Sequence, residues 1–194
     1  MISAFSLASR VLDEPRYKKA AEDAANFIHK NLKDKDGRLL HRYRDGEAAI
    51  PASLNDYAFL IKGTLGLYEA TFDEQRLKEA LALTESMLRL FWDEKDGGFY
   101  LTASDTEALI VRPKELYDGA VPSGNSTAVR DLLWLDRYTA QSRFREAADK
   151  TLKTFAEEIA AEPASYPEML IALDFALGPS FEIVIAGERD DSLV

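Results

Sequence analysis

Three aspartates in separate parts of the chain have the chemistry of catalytic acids and bases. Asp56 lies in the first turn of a predicted helix, whereas Asp105 and Asp118 lie in a segment without helical periodicity. Two carboxyl groups that face one sugar can cleave a glycosidic bond, and the outcome depends on their separation. We therefore predict Asp56, Asp105 and Asp118 as catalytic residues. Asp56 has a structural alternative, because a carboxylate in the first turn also satisfies free N–H groups and the helix dipole.

The segment 102–126 is a long non-helical connection in which polar groups alternate with aromatic and aliphatic residues. Ordered connections of this length are usually functional, and one laid across the mouth of a helical ring could line a sugar-sized pocket. Arg112 and Lys114 could hold an anionic group of a sugar. With Tyr57, which follows Asp56, the predicted substrate-binding residues are Glu107, Arg112, Lys114, Tyr117, Ser123 and Asn125.

These polar residues have structural alternatives. Asp118-Gly119 is a turn sequence, and Ser123 is suited to capping the helix that follows it. Arg112 and Lys114 could instead form a buried ion pair with Asp105 or Glu107. The aromatic residues of the chain could stack on sugar rings or pack the ends of the helical hairpins; they include Trp92, Phe99, Tyr100 and Trp134.

Other kinds of site are poorly supported by the sequence. The chain has no cysteine, which excludes disulfides, thiolate nucleophiles and zinc-thiolate sites. Its two histidines, His29 and His41, lie at predicted surface positions. A sugar epimerase of this fold would need histidine bases at its cavity, so this hypothesis is weakened. No spacing of Asp and Glu indicates a metal site, and no glycine-rich segment forms a phosphate-binding motif. We predict no cofactor and no metal.

The charge balance also limits the partners. The 194 residues include 34 Asp and Glu against 24 Lys and Arg, a formal net charge of -10. The basic residues are scattered among acids, so we expect no nucleic acid and no membrane as a partner. The first ten residues resemble neither a secretory signal nor a membrane anchor, and we expect a cytoplasmic protein.

An internal repeat of about sixty residues organises the chain. The segment that begins at Asp13 aligns with the one at Asp73, and the turns at Gly37 and Gly97 keep the offset of 60 residues. A looser third copy begins at Ser142. Segments with a one-sided 3.6-residue apolar pattern are predicted outer helices, at 15–33, 74–91 and 143–160. Segments that are apolar around most of their circumference are predicted inner helices, at 2–12, 53–71, 124–138 and 164–177.

Alternating inner and outer helices predict an all-α fold, an incomplete (α/α) toroid of helical hairpins with about seven long helices. A helical solenoid and an irregular bundle are the alternatives. The residues after Gly37 and after Gly97 predict short β-hairpin strands. We assign residues 1–178 to the toroid fragment and residues 179–194 to a strand-like tail.

Several of these segments resemble one known family, that of YyaL and the spermatogenesis-associated thioredoxin-like proteins. The matching residues run nearly from end to end and include Asp56 to Leu60, Leu67 to Thr71, Phe91 to Tyr100, Thr102 to Lys114, Tyr117 to Ser126 and Glu182 to Gly187. The 102–126 block is the most specific of them. Asn55 and Thr106 depart from the family, which has an acid and a histidine at the corresponding positions.

The resemblance implies a thioredoxin-like domain followed by an (α/α)6 toroid similar to N-acylglucosamine 2-epimerases and six-hairpin glycosidases. This chain resembles only the C-terminal part of that toroid, since a closed ring of six hairpins needs twelve long helices. The family has no assigned reaction.

Two functional hypotheses follow. The first is a fragment that binds or processes a sugar or sugar derivative. The second is a noncatalytic module that assembles through the open edge of its toroid, either as a homodimer or with the missing N-terminal half of a longer family protein. An open edge would expose apolar surface, which supports the second hypothesis.

Overall fold

The computed structural model describes residues 1–106, 111–179 and 181. This part of the chain is mostly helical, and its elements follow the predicted order. They are α1 (Ile2–Leu12), α2 (Pro15–Asn31), β1 (Leu40–Arg44), β2 (Glu47–Pro51), α3 (Leu54–Thr71), α4 (Glu74–Phe91), α5 (Gly124–Thr139), α6 (Ser142–Thr154), α7 (Ala156–Ala161), a 3-10 turn (Pro163–Ser165) and α8 (Pro167–Leu177). The all-α prediction is therefore confirmed.

The helices form two layers. Helices α1, α3, α5 and α8 pack side by side in that order, and α2, α4 and α6 each cover the outer side of the inner helix that precedes them. The core lies between the layers, where α3 contributes Tyr57, Ala58 and Ile61 and α5 contributes Leu132 and Leu133. Within the described residues this is an arc of an (α/α) toroid, in which each hairpin buries its apolar faces against the next.

The three hairpins share one turn between the inner and the outer helix. Asp13, Phe72 and Ala140 each end an inner helix in the left-handed conformation, with φ of 51°, 52° and 52°. The same turn at the same place confirms the repeat and corrects its alignment. Asp13 corresponds to Phe72 rather than to Asp73, because the cap geometry sets the register.

The second repeat carries one extra residue in its terminal turn. Asp34 and Asp93 each accept main-chain N–H groups at the start of this turn, and Gly37 and Gly97 adopt φ of 80° and 79° within it. The chain therefore repeats at 59 residues through the helices and at 60 residues after the turn, as the spacing of these two pairs shows.

The predicted strands are present in the first repeat and reduced in the second. Strands β1 and β2 pair antiparallel, with Leu40 opposite Pro51 and Arg44 opposite Glu47. After Gly97, the described residues contain only a single bridge between Trp92 and Phe99. The physical reason is that the Asn125 side chain bonds both main-chain groups of Phe99 and takes the place of a partner strand.

The third outer helix is interrupted. The predicted helix at 143–160 divides at Phe155, whose φ of -102° and ψ of 6° separate α6 from α7. The last inner helix begins at Pro167, three residues later than predicted, because the 3-10 turn Pro163–Ser165 precedes it. The predicted strand-like tail lies outside the described residues except for Pro179 and Phe181.

Glycines bring α1 and α3 close together. A methyl group on Gly63 would lie 3.1 Å from Ile2 Cβ, and one on Gly66 would lie 3.4 Å from Ser3 Cα. The small residues of α3 thus serve helix packing, as the sequence indicates. Among the described helices, none is long and apolar enough to cross a membrane.

Candidate functional site

Asp118 joins the 102–126 segment to the last inner helix. Its carboxylate accepts hydrogen bonds from the main-chain N–H groups of Ser123 at 2.8 Å, Glu168 at 2.9 Å and Met169 at 3.2 Å. The residue is buried, and these donors include the otherwise unpaired N–H groups in the first turn of α8. This geometry is that of a helix cap that also holds a turn.

Ser123 and Asn125 stabilise the same region. The Ser123 hydroxyl accepts the N–H of Ser126 at 3.0 Å and so caps α5. Asn125 is fully buried, and its amide bonds Phe99 through both main-chain groups and the Glu115 carbonyl at 2.8 Å. Both side chains use their polar atoms within the protein.

Asp93, Lys114 and Tyr100 form a buried polar cluster beneath the segment. The Lys114 ammonium lies 2.7 Å from Asp93 Oδ2 and donates to the Gly97 carbonyl at 2.6 Å. The Tyr100 hydroxyl donates to the same Asp93 oxygen at 2.7 Å. The Lys114 and Tyr100 hydrogen bonds hold the pKa of Asp93 well below its usual value. The bond to the ionised Asp93 in turn raises the pKa of Tyr100.

Arg112 lies over the Tyr100 ring, with its guanidinium carbon 4.1 Å from the ring centre. It donates to the Thr102 carbonyl at 2.5 Å and to the Leu90 carbonyl at 3.4 Å. The side chain therefore fastens the segment to the end of α4. Arg112 and Lys114 pair with neither Asp105 nor any other acid of the 102–126 segment among the described residues; Lys114 pairs with Asp93.

Asp105 pairs with Arg38 from the first repeat, and this bond lowers the pKa of Asp105. Arg38 lies next to Leu39, whose N–H is bonded to the Tyr57 hydroxyl at 3.3 Å. Tyr57 is buried against Phe91, and burial raises its pKa. Tyr57 is thus part of the core at the end of the first hairpin.

Asp56 contributes to a capping box at the start of α3. Its carboxylate accepts the Ser53 N–H at 2.7 Å and the Ser53 hydroxyl at 2.9 Å. His41 Nδ1 lies 2.9 Å and 3.0 Å from the two Asp56 oxygens. The His41 side chain is 55% exposed, so the pair lies at the surface of the first repeat.

The three predicted catalytic carboxylates thus belong to three separate networks. Asp56 is bonded to Ser53 and His41, Asp105 to Arg38, and Asp118 to main-chain donors. Of the predicted substrate-binding residues, Tyr117 is 68% exposed, and Glu107 lies outside the described residues. The catalytic and binding roles of these residues stay predictions.

A different cluster of charged residues lies on the inner side of the arc. A cavity of about 270 Å³ opens between α1, α3 and α5, and no residue of an outer helix contributes to its wall. We call it the inner-face pocket. Its polar and aromatic lining residues are Ser3, Arg10, Lys62, Glu69, Arg130, Asp131 and Trp134.

Two cations of the inner-face pocket share one carboxylate. Glu168 Oε1, from the first turn of α8, accepts Lys62 Nζ at 2.7 Å and an Arg130 nitrogen at 3.0 Å. Burial alone would raise the pKa of Glu168, but the two cations outweigh burial and lower it. Glu168 therefore remains ionised and connects α3, α5 and α8.

Asp131 is the unusual residue of this pocket. It is 2% exposed, and its Oδ2 atom has no hydrogen-bond partner among the described residues. Burial raises the pKa of Asp131 well above its usual value, and the nearby Lys62 and Arg130 charges only partly oppose this. An ionised carboxylate without a partner is unfavourable in such a place, so burial favours the neutral acid.

Aromatic residues and a second ion pair complete the wall. The Trp134 ring stacks on Phe175 at 4.9 Å and on Tyr138 at 5.5 Å between ring centres. Glu69 pairs with Arg10 and accepts the Tyr138 hydroxyl at 2.7 Å. Burial and the Glu69 bond raise the pKa of Tyr138, which stays protonated.

The sequence contains a signal for this pocket in the charged residues of its inner helices. Lys62 and Glu69 are charged residues seven positions apart in a largely apolar inner helix, and Arg130 and Asp131 are charged residues in another. Two residues seven positions apart lie on one face of a helix. Charges on helices whose apolar residues cover most of their circumference indicate a polar site inside the ring.

Two further cavities lie between outer helices. One of about 280 Å³ separates α2 from α4, and one of about 490 Å³ separates α4 from α6. They recur at equivalent places in the repeat, and we therefore attribute them to the spacing of the outer helices rather than to a specific ligand.

Comparisons with known proteins agree with this architecture. The chain is 33% identical to human spermatogenesis-associated protein 20 over 199 residues, and 31% identical to the rat protein over 198 residues. These alignments cover 97% of the chain but 25% of each relative, so the chain spans about a quarter of their length. No protein-family model matches the chain.

Among solved structures, the chain resembles cellobiose 2-epimerase from Spirochaeta thermophila, with a TM-score of 0.65 and 24% identity. The likeness covers 82% of this chain and 42% of that enzyme. It also resembles a D-mannose isomerase, with a TM-score of 0.65, 16% identity and coverage of 82% and 40%. At these identities the likeness shows the fold, which is part of an (α/α) toroid.

Proposed function

We propose that this homologue of spermatogenesis-associated protein 20, folded as part of an (α/α) toroid, supplies a carbohydrate-binding site. The observation that carries the proposal is the inner-face pocket, which combines cations, carboxyl groups and an indole ring on the side of the arc that faces the ring axis. Sugar sites typically combine apolar surface with a few convergent polar groups. The structural neighbours, a cellobiose 2-epimerase and a D-mannose isomerase, act on sugars and support this class of ligand.

The inner-face pocket supports binding better than the 102–126 segment does. Asp118, Ser123 and Asn125 use their polar atoms to hold main-chain groups, and Arg112 and Lys114 do the same. In contrast, Asp131 is one of the residues that line the cavity, and its buried Oδ2 atom has no hydrogen-bond partner among the described residues. We therefore place the sugar against α1, α3 and α5, with Asp56 and Asp105 at a different end of the hairpins.

Thermal denaturation with neutral, amino, acetylated and phosphorylated sugars tests this proposal. A ligand that binds only the native state raises its stability, by about 1.4 kcal/mol at ten times its dissociation constant. For a chain of this length, this corresponds to a rise of about 3–6 °C in the melting temperature. Lys62→Met and Asp56→Asn variants separate the two sites, and Lys78→Met on the exposed face of α4 is the control.

We expect a sugar-dependent rise that Lys62→Met abolishes and that Asp56→Asn and Lys78→Met retain. A rise that is lost in Asp56→Asn but kept in Lys62→Met would move the site to the end of α3. The absence of a rise with every sugar, in a chain that remains folded, would overturn the proposal.

A second candidate function rests on a separate observation, the exposed apolar residues on the two outermost inner helices. Leu7 and Val11 on α1 and Ile171 and Leu177 on α8 are more than half exposed. Soluble proteins usually cover such surface, so the fragment could serve as an assembly module whose partner closes the ring.

A further inference from the structure

Around the inner-face pocket, the cations outnumber the carboxylates that pair with them. Arg10, Lys62 and Arg130 line it as cations, and the acids that pair with them are Glu69 and Glu168. Asp131 adds no negative charge while its carboxyl keeps its proton, and burial favours that state. In that state the pocket has three cations against two carboxylates, in a chain whose formal net charge is -10.

The cations also keep free hydrogen-bond donors. A guanidinium has five N–H donors and an ammonium has three. Arg130 and Lys62 each donate one hydrogen bond to Glu168, and their side chains are 32% and 26% exposed. The donors that remain are available to a ligand without breaking the bonds that hold Glu168.

Asp131 adds to this excess of donors. As a neutral acid it has an O–H group, and the described residues provide no partner for its Oδ2 atom. The groups that face it are Lys62 from α3, Arg130 from its own helix and Glu168 from α8; Arg10 and Glu69 line the same cavity. Within the described part of the chain, neither Lys62 nor Arg130 forms a hydrogen bond to Asp131.

We infer that the inner-face pocket binds the acidic group of an anionic sugar, either a sugar carboxylate or a sugar phosphate. Lys62 and Arg130 contact the anion, the Asp131 hydroxyl donates a hydrogen bond to it, and Trp134 forms the apolar wall beside the sugar ring. This inference rests on the proposed function and specifies its ligand class. Charged acceptors form shorter and stronger hydrogen bonds with such donors than neutral hydroxyl groups do.

Direct binding measurements test the inference. Dissociation constants for glucose, glucuronate and glucose 6-phosphate are measured by calorimetry at low salt with the whole chain, its Lys62→Met variant and the Lys78→Met control. We expect at least one anion to bind about tenfold more tightly than glucose, which corresponds to one added charge-assisted hydrogen bond. The preference falls to about threefold or less in Lys62→Met and persists in Lys78→Met.

The possible results separate the inference from the proposed function. A preference for glucuronate identifies a sugar carboxylate, and a preference for glucose 6-phosphate identifies a sugar phosphate. Equal affinity for glucose and both anions would overturn the inference and leave the proposed function standing. If no sugar binds at all, both are wrong.

The role of Asp131 has its own readout. In the native chain, binding of the anion weakens as the pH rises through the native pKa of Asp131, because the ionised carboxylate repels the ligand. Measured with glucuronate, whose carboxylate stays ionised in this range, Asp131→Asn keeps a donor at this place without a charge, so its affinity stays nearly constant from about pH 5 to about pH 9. Asp131→Leu, which has no donor, binds more weakly than Asp131→Asn at every pH. The same pH profile in the native chain and in Asp131→Asn would show that Asp131 does not contact the anion.

Discussion

Lys114 neutralises a buried carboxylate and also donates a hydrogen bond to a main-chain carbonyl. Its partners, Asp93 and Gly97, belong to the turn that ends the second repeat, so a side chain of the long connection holds that turn. A buried ion pair adds little net stability compared with apolar residues, but removing one partner leaves a charge without compensation. The consequence is testable in the free energy of unfolding.

We expect Lys114→Met to lower the free energy of unfolding by about 2 kcal/mol at pH 7, as for other hydrogen bonds to charged groups. Lys114 and Tyr100 lower the native pKa of Asp93, so this stabilisation is complete above the unfolded value of 3.8 and is lost as the pH falls toward the native pKa. Urea denaturation at pH 7 and at about pH 3 measures the difference in the free energy of unfolding between the native chain and Lys114→Met. This difference should shrink at the lower pH. Lys78→Met, whose partner Glu74 is exposed, should change stability by less than about 0.5 kcal/mol.

Asp131 and Glu168 show how two acids in one region differ in protonation. Glu168 has two cations within hydrogen-bond distance and stays ionised, whereas Asp131 is buried without a bond to either cation. Environments that move two pKa values in opposite directions are typical of functional sites, although structural ion pairs produce the same effect. The binding experiment on Asp131 variants decides between these explanations.

At the level of the elements, each hairpin is terminated by the same devices. The first three inner helices end in a left-handed residue, and the second and third of them begin at a serine that caps the first turn, Ser53 and Ser123. Helix α8 lacks such a residue of its own, because Tyr166 precedes it. Asp118, fifty residues earlier in the chain, takes over the capping role.

We expect Asp118→Ala to destabilise the chain by about 2–3 kcal/mol, since it leaves three buried N–H groups without an acceptor. The loss should concentrate in α8, where amide hydrogen exchange of Glu168 and Met169 would accelerate more than exchange in α3. Glu115→Ala, an exposed position in the same segment, serves as the control and should leave exchange unchanged. Unaltered protection of α8 in Asp118→Ala would contradict the capping role.

At the scale of the whole molecule, the described residues form an arc with two free edges. The epimerase that the chain resembles is more than twice as long as the matched part, since the likeness covers 42% of it. The edge formed by α1 exposes Leu7 at 57% and Val11 at 71%, and the edge formed by α8 exposes Leu177 at 77%. Apolar surface of this kind is usually covered by another protein segment.

We expect this chain on its own to associate through these edges and to elute as a dimer in size-exclusion chromatography with light scattering. Val11 and Leu12 on α1, which are 71% and 58% exposed, do not line the inner-face pocket; replacing both by lysine adds charge to the edge and should give a monomer. Glu22→Lys on the outer helix α2 changes the net charge by the same amount and should leave the dimer intact. A monodisperse monomer of the native chain at micromolar concentration would count against the prediction.

The helices, their inner and outer layers and the repeat could all be predicted from the sequence. These features depend on local patterns, namely a 3.6-residue apolar period, prolines and glycines at helix ends and a similarity between segments sixty residues apart. The inner helix at 2–12 and the outer helix at 74–91 have the bounds that the sequence predicts. The short bridge at Phe99 differs from prediction because a distant residue, Asn125, bonds its main chain, and the outer helix predicted at 143–160 is interrupted at Phe155.

The partners of the polar residues depend on how the helices pack, which local patterns do not predict. Asp118, Asn125 and Lys114 are residue types that often occur in binding sites. Here their polar atoms form hydrogen bonds with main-chain groups 17 to 50 residues away in the chain. Conversely, Lys62 and Asp131 belong to different helices and have no common motif, and the packing of α3 against α5 brings them to one cavity. The chemistry of a polar group depends on burial and on the charges around it, and the order of residues along the chain specifies neither.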